Sequence, residues 1–278
     1  MWYKVGANPR KKIQSSDEMR CVLNRFLAGA CALAFVLFGL GSAKAADDFK
    51  GFYVGANAGG AFGRFDVDTS PIFSPTGYFA ATSTPAITTA SGQKIKPNGF
   101  TVGGQAGYNW QWGDVVFGLE WDFGKMDLSG STTATAVYPC CAPTAFTVTQ
   151  TAETSWLMTA RPRVGVVFGP ALFYGTAGGA VTNVKYTALF TDTFATAHES
   201  ASLDDKRAGW VAGAGTEFRL GHHLSVKGEY LYAGFGTSTV TSTNLTAFTP
   251  PIAFPTNVFT HTVSLHAKIA RAGLNFRF

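Results

Sequence analysis

From residue 50 onward the chain alternates apolar and polar residues over stretches of ten to sixteen positions, each bounded by Gly, Pro, Asp or Ser. A period of two puts successive side chains on opposite faces and predicts strands, whereas helical periodicity is hard to find. Eight strands are predicted, over about 50–63, 99–112, 115–128, 154–168, 171–186, 207–220, 224–235 and 262–278. Gly113-Asp114, Gly169-Pro170 and Gly221-His222-His223 make short connections. Segments 64–98, 129–153, 187–206 and 236–261 make long ones, so short and long connections alternate without exception. Antiparallel barrels that cross an outer membrane have this asymmetry, with tight turns on one side and long loops on the other. The predicted fold is therefore all-β, an eight-stranded up-and-down transmembrane barrel with four long extracellular loops and three short periplasmic turns. A soluble β-protein is the competing reading.

The faces of the strands favour the membrane. Phe100, Val102, Ala106, Tyr108, Trp110 and Trp112 share one face of their strand, opposite Thr101, Gly103, Gln105, Gly107, Asn109 and Gln111. Aromatics gather near strand ends and suit interfacial girdles: Tyr108, Trp110, Trp112, Trp121, Phe168, Phe218, Tyr230, Tyr232, Phe276 and Phe278. One strand conflicts with itself. If Val263, Leu265 and Ile269 face lipid, so does Arg271, and a β-bulge near residues 268–270 is predicted to restore the phase.

The N-terminal region removes a false lead. Phe26–Leu40 is uncharged, follows Arg20 and Arg25, and is succeeded by a small-residue site at Ala43, Ala45 and Ala46. Fifteen apolar residues are short of a membrane-spanning helix and predict a cleaved secretory signal, cut after Ala45. The expected organisation is an over-called extension at 1–18, a signal peptide at 19–45 and a barrel domain at 46–278. Residues 1–45 carry seven Lys/Arg and two Asp/Glu, which is the whole net charge of +5. The remainder is neutral, so nucleic acid is not an expected partner. Cys140 and Cys141 remain after cleavage, and a disulfide between neighbours is not a safe expectation.

Gly51-Phe-Tyr-Val-Gly-Ala-Asn-Ala-Gly-Gly60, Gly103-Gly-Gln-Ala-Gly-Tyr-Asn-Trp110 and Arg271-Ala-Gly-Leu-Asn-Phe-Arg-Phe278 resemble the small outer-membrane immunogenic proteins of alphaproteobacteria. That family is often labelled porin and is related to the barrel of OmpA-like proteins. The resemblance implies an outer-membrane location and recognition of the terminal Phe278 by the barrel-assembly machinery. It covers the strands and leaves the loops unmatched.

Counting residues from the short turns places Glu120 level with Arg163, Asp122 with Arg161, and Glu217 opposite Lys227. Arg219, Glu229, Arg271 and Arg277 extend the set. An eight-stranded barrel is filled by its own side chains, so these charges are expected to pair as a plug. The leading expectation is a non-enzymatic structural protein that supports envelope integrity and presents variable loops to host or phage surfaces. A narrow porin, a haem-binding surface protein and an outer-leaflet lipid A enzyme are the alternatives. His198 and His261 are the candidate haem ligands, and Ser264 near His261 and His266 is the candidate hydrolase pair. No cofactor or metal is expected. Expected partners are outer-membrane lipid and lipopolysaccharide. The chain stops at its predicted last strand, so the anchoring domain of longer OmpA-like proteins is not expected.

Overall fold

The computed structural model describes residues 49–278; the signal cleavage site and the 1–18 extension lie outside the described residues. The chain runs through β1 (Gly51–Pro71), α1 (Ser83–Ser91), β2 (Gln93–Ile95), β3 (Asn98–Trp112), β4 (Val115–Val137) and β5 (Ala145–Phe168). It continues through β6 (Ala171–Asp192), β7 (His198–Arg219), β8 (Leu224–Ser242), β9 (Thr246–Ala247), β10 (Ile252–Ala253) and β11 (Phe259–Arg277). Eight of these strands are long, and each pairs antiparallel with its neighbour in sequence. β1 also pairs with β11, from Tyr53↔Arg277 to Pro71↔Phe259, and closes the ring. Closure leaves no unpaired edge, which a strand needs in hydrocarbon. Among the described residues no helix is long and apolar enough to cross a membrane.

The outward face of the lower barrel carries two aromatic levels. Phe52 and Phe62 on β1 both face out, 45% and 48% exposed. Ten residues of strand rise about 33 Å, and a tilt near 45° reduces this to about 24 Å. That matches the roughly 25 Å apolar band of outer-membrane barrels. Trp112, Phe168, Phe276 and Phe278 are exposed near the turn end, and Tyr108, Trp110 and Phe218 are partly exposed there. Trp121 and Tyr230 are exposed higher up, with Tyr232 partly exposed beyond them.

The strands run well past this band. β4 and β5 pair continuously from Val115↔Val166 to Val137↔Ala145, so the predicted loop 129–153 is mostly strand. The same is true of β6 with β7, paired up to Thr191↔His198. The alternation is legible in Thr133–Tyr138 and Thr147–Thr151, but elsewhere Thr, Ala and Ser hide it. Above the membrane the barrel is a soluble one and its faces invert: Ala61, Phe65, Val67, Leu231, Phe235, Val263, Leu265 and Ile269 pack inside as a buried apolar cluster.

This inversion corrects the reading of the last strand. Every odd-numbered residue of β11 from Phe259 to Arg277 points inward, with no bulge at 268–270. The bulge is on the neighbouring strand: Ser264 pairs with Thr237 and Leu265 with Phe235, leaving Gly236 over. Gly236 has φ +25°, which a side chain would disfavour. Further register shifts between Lys125 and Leu128 and between Glu153 and Leu157 change the phase of β5.

Candidate functional site

Among the described residues the lumen is the interior of the fold, and it is filled in layers. At the turn end Phe49 is fully buried, its carbonyl accepting from Asn109 Nδ2 at 2.9 Å and its amide donating to Gln111 Oε1 at 2.5 Å. The guanidinium of Arg277 lies 4.9 Å from its ring and that of Arg219 5.7 Å. Val116, Leu172 and Tyr174 complete this stopper.

Above it sits a charged layer. Arg161 Nη2 donates to Glu120 Oε1 at 2.7 Å and Asp122 Oδ2 at 2.9 Å, and its Nη1 lies 3.4 Å from Glu229. Arg271 bridges Asp122 at 3.0 Å and Glu229 at 2.5 Å. Lys227 Nζ reaches Glu120 at 2.7 Å and Glu229 at 3.4 Å. Arg163 binds Glu217 at 3.1 Å, lies between the rings of Tyr53 and Tyr174 at 4.7 and 5.1 Å, and is 3.5 Å from Glu120. Arg277 joins Glu217 at 3.3 Å. Buried charges are tolerated when paired and hydrogen-bonded, and every charge of this layer is paired through a mesh instead of separate rungs, with Arg161 Nε and Arg163 Nη2 left without a hydrogen bond.

The mesh differs from the two-pair ladder. Glu120 stands opposite Arg161, not Arg163, because β4 and β5 join at the loop end and the shear of the barrel staggers their turn ends. Glu217 does stand opposite Lys227, yet the lysine reaches over the barrel axis to Glu120 and Glu229 instead. Tyr53, Asn57, Gln105, Asn109 and Asn275 were not singled out from sequence. Asn57 donates to Gln105 at 3.0 Å and Gln105 to Asn275 at 2.5 Å, which carries the mesh around the β3–β1–β11 wall. Polar residues on an inward strand face were the available signal.

The apolar cluster described above covers the charged layer, and a second polar layer lies over it. Thr69 Oγ1 meets His261 Nδ1 at 2.8 Å, and His261 Nε2 meets Glu199 Oε1 at 3.2 Å. Ser242 also donates to Glu199, and Tyr186 donates to Gln150 at 2.6 Å. A hydroxyl, an imidazole and a carboxylate in a row form a proton-relay arrangement, but Thr69, His261 and Glu199 are no more than 1% exposed. Both nitrogens of His261 are engaged inside the barrel, while His198 is exposed on β7. The proposed pair of haem ligands is thus divided by the barrel wall. The Ser264 pairing also fails for His261, since Ser264 and His266 face outward.

α1 closes the loop end. Ser91 at its C-terminus donates to the Thr69 carbonyl at 2.6 Å and accepts from the Thr69 amide at 3.1 Å. Ile87, Phe79, Phe146, Phe190, Leu245 and Phe259 form an apolar cap. Tyr78 and Tyr138 both donate to Asp192 Oδ2, at 2.6 and 3.0 Å. Burial, reinforced by that carboxylate, raises both phenols well above their ordinary range. Thr196 and Phe248 hold positive φ angles of 54° and 72° where their loops meet. Such backbone is strained and persists only where surrounding contacts enforce it. Cys140 and Cys141 form a disulfide at the apex of the β4–β5 hairpin, contrary to the cautious reading of the sequence.

Residues 30–269 match the family described as outer membrane protein beta-barrel domain. The chain belongs to that family. The 31 kDa outer-membrane immunogenic protein of Brucella melitensis is 30% identical over 83% of this chain and 84% of its own length. The 22 kDa outer membrane protein of Rhizobium leguminosarum bv. viciae is 29% identical over 48% of this chain and 52% of its own. Among solved structures, the attachment invasion locus protein Ail of Yersinia pestis shares 15% identity, covering 80% of this chain and 99% of its own at a TM-score of 0.32. Family membership places the protein in the outer membrane, as a surface protein. The short turns then face the periplasm and the α1 cap faces outward.

Proposed function

We propose that this outer-membrane barrel is a closed structural element that supports envelope integrity and presents its loops at the cell surface, without catalysis. One observation carries the reading: the lumen is stacked from end to end with stopper, charged mesh, apolar cluster, buried polar layer and cap. Water and solutes need a continuous hydrated path, and three of those five layers are apolar clusters that interrupt it.

The outer surface supports the second half of the reading. Phe73, Phe194, Phe248 and Ile252 are exposed at 43–55% at the loop end, and Lys, Arg and Glu are missing from residues 69–93, 130–152 and 238–260. A crown with exposed apolar side chains and few charges in three of its four long segments suits recognition by host or phage surfaces. At the other end Phe278 is 70% exposed beside Phe52, their ring centroids 5.7 Å apart, which leaves the terminal aromatic accessible to the assembly machinery during folding. Single-channel recording in planar bilayers tests the closed lumen: no stepwise current is expected, and reproducible steps would replace this reading with that of a pore. Loss of the protein is expected to raise sensitivity of the cell to detergent, and unchanged sensitivity would remove the envelope role.

A further inference from the structure

At the upper aromatic level, the wall formed by β7, β8, β11 and β1 gathers a set of outward side chains that the closed lumen does not use. Gly234 of β8 stands opposite both His266 of β11 and Trp210 of β7. A Cβ on Gly234 would lie 3.1 Å from Trp210 Nε1 and 3.4 Å from His266 Nδ1, so the missing side chain leaves a cradle with two ring nitrogens at its sides. Tyr232 supports both rings: its own ring is 5.5 Å from that of Trp210 and nearly parallel to His266 at 6.1 Å, and its hydroxyl is 3.2 Å from His266 Nδ1. Arg64 of β1 faces His266, and Lys268 lies opposite both Phe62 and Tyr232. Asp66 binds the Arg64 guanidinium at 2.9–3.1 Å, which orients it and offsets one of the two permanent cations.

The height of this cluster decides what it meets. It stands at and just beyond Phe62, the aromatic that marks the outer edge of the apolar band, where lipid headgroups lie. Below it the outward faces of β1 and β11 narrow to Gly60, Ala58, Ala56, Ala270 and Ala272 before the exposed Val54 and Leu274 are reached. That is a smooth wall against which acyl chains pack.

We propose that this wall binds one phosphorylated glycolipid of the outer leaflet. Arg64 and Lys268 hold the phosphate, His266, Trp210 and Tyr232 meet the sugar with ring faces and N–H or O–H donors, and the acyl chains lie along the alanine wall. Guanidinium and ammonium groups bind phosphate through short charge-assisted bonds, and an aromatic platform with neutral donors suits a sugar better than a small phospholipid headgroup. The inference rests on the outer-membrane location and not on whether the lumen conducts.

Native mass spectrometry of the refolded full chain in detergent tests it with three probes: lipid A, enzymatically dephosphorylated lipid A, and phosphatidylglycerol. Lipid A is expected to be retained about tenfold more strongly than either other probe, a difference of about 1.4 kcal/mol. Replacing Arg64→Gln, His266→Gln and Lys268→Gln together is expected to abolish the preference while leaving heat-modifiable gel mobility unchanged. Gly234→Leu, which fills the cradle, is expected to weaken retention with all charges in place. Equal retention of the three lipids by the native protein overturns the proposal whatever the variants do. So does lipid A retention that survives in the folded triple variant.

Discussion

Arg161 and Glu120 face each other on β5 and β4 and meet at 2.7 Å inside the barrel, with the arginine side chain fully enclosed. Removing Arg161 takes away the one guanidinium shared by Glu120, Asp122 and Glu229, and leaves Glu120 to Lys227 and Arg163. Breaking a buried pair in this way costs about 3–5 kcal/mol, well above the value of a surface ion pair. Arg161→Met is therefore expected to lower the urea midpoint of unfolding clearly, followed by tryptophan fluorescence in micelles. The exposed pair Lys125–Asp127, at 2.9 Å, is the control, and Lys125→Met is expected to shift stability by less than about 1 kcal/mol. Similar shifts for both variants would show the mesh to be dispensable.

The cap and the lumen layers are separate barriers. A protein lacking residues 82–92 loses Ser83, Ile87 and Ser91, which cover the polar layer. His261 is then expected to react with diethyl pyrocarbonate, whereas in the intact protein it is protected while the exposed His198, His222 and His223 react. The same variant is still expected to carry no current, because the apolar cluster and charged mesh below are intact. Current through it would place the barrier in the cap alone.

The outer cap is expected to loosen at alkaline pH. Tyr78 and Tyr138 in the closed cap keep their protons well above the ordinary phenol range, while an opened tyrosine loses its proton near pH 10. Opening above that pH therefore releases protons, so closure is fully favoured below about pH 10 and weakens as pH rises beyond it. Protease cleavage within 72–80 or 244–256, measured from pH 7 to 11, is expected to accelerate only in the upper part of that range. A rate independent of pH would exclude the two phenols as fasteners.

Two glycines on adjacent strands make opposite predictions. A Cβ on Gly215, on the inner face of β7, would lie 2.6 Å from the Tyr174 hydroxyl, which donates to Glu229 at 3.2 Å. A Cβ on Gly175, pointing outward from β6, meets nothing within 4 Å. Gly215→Ala is expected to cost about 1–3 kcal/mol through overpacking, and Gly175→Ala to be neutral or slightly stabilising. Unfolding midpoints of the two variants check the contrast.

Much of this was legible in the chain. Alternation across 99–112 and 115–128, together with the rhythm of short turns and long connections, determined eight strands, their antiparallel order and which lower residues face the lumen. Local sequence suffices there because a strand between lipid and a narrow interior must sort its side chains by position parity. α1 escaped, since Ser-Thr-Pro-Ala-Ile-Thr-Thr-Ala-Ser has weak helix propensity and is held by its contacts with β1 and the cap. The upper barrel escaped as well, because hydrophobicity there points inward, as in a soluble protein, and phase shifts at the bulges scramble the count.

What the sequence by itself determined, then, is the set of strands, the outer-membrane class and the inventory of lumen charges. Only the tertiary structure decided the partners: Arg161 with Glu120 instead of Asp122 alone, Lys227 with Glu120 instead of the facing Glu217, and His261 with Thr69 and Glu199 instead of an outside ligand. Pairing within a strand face depends on two-residue spacing, which the chain encodes locally. Pairing over the lumen depends on shear and closure, which join residues far apart in the chain, as in Arg271 and Asp122, 149 positions apart, and exist only once the ring is complete.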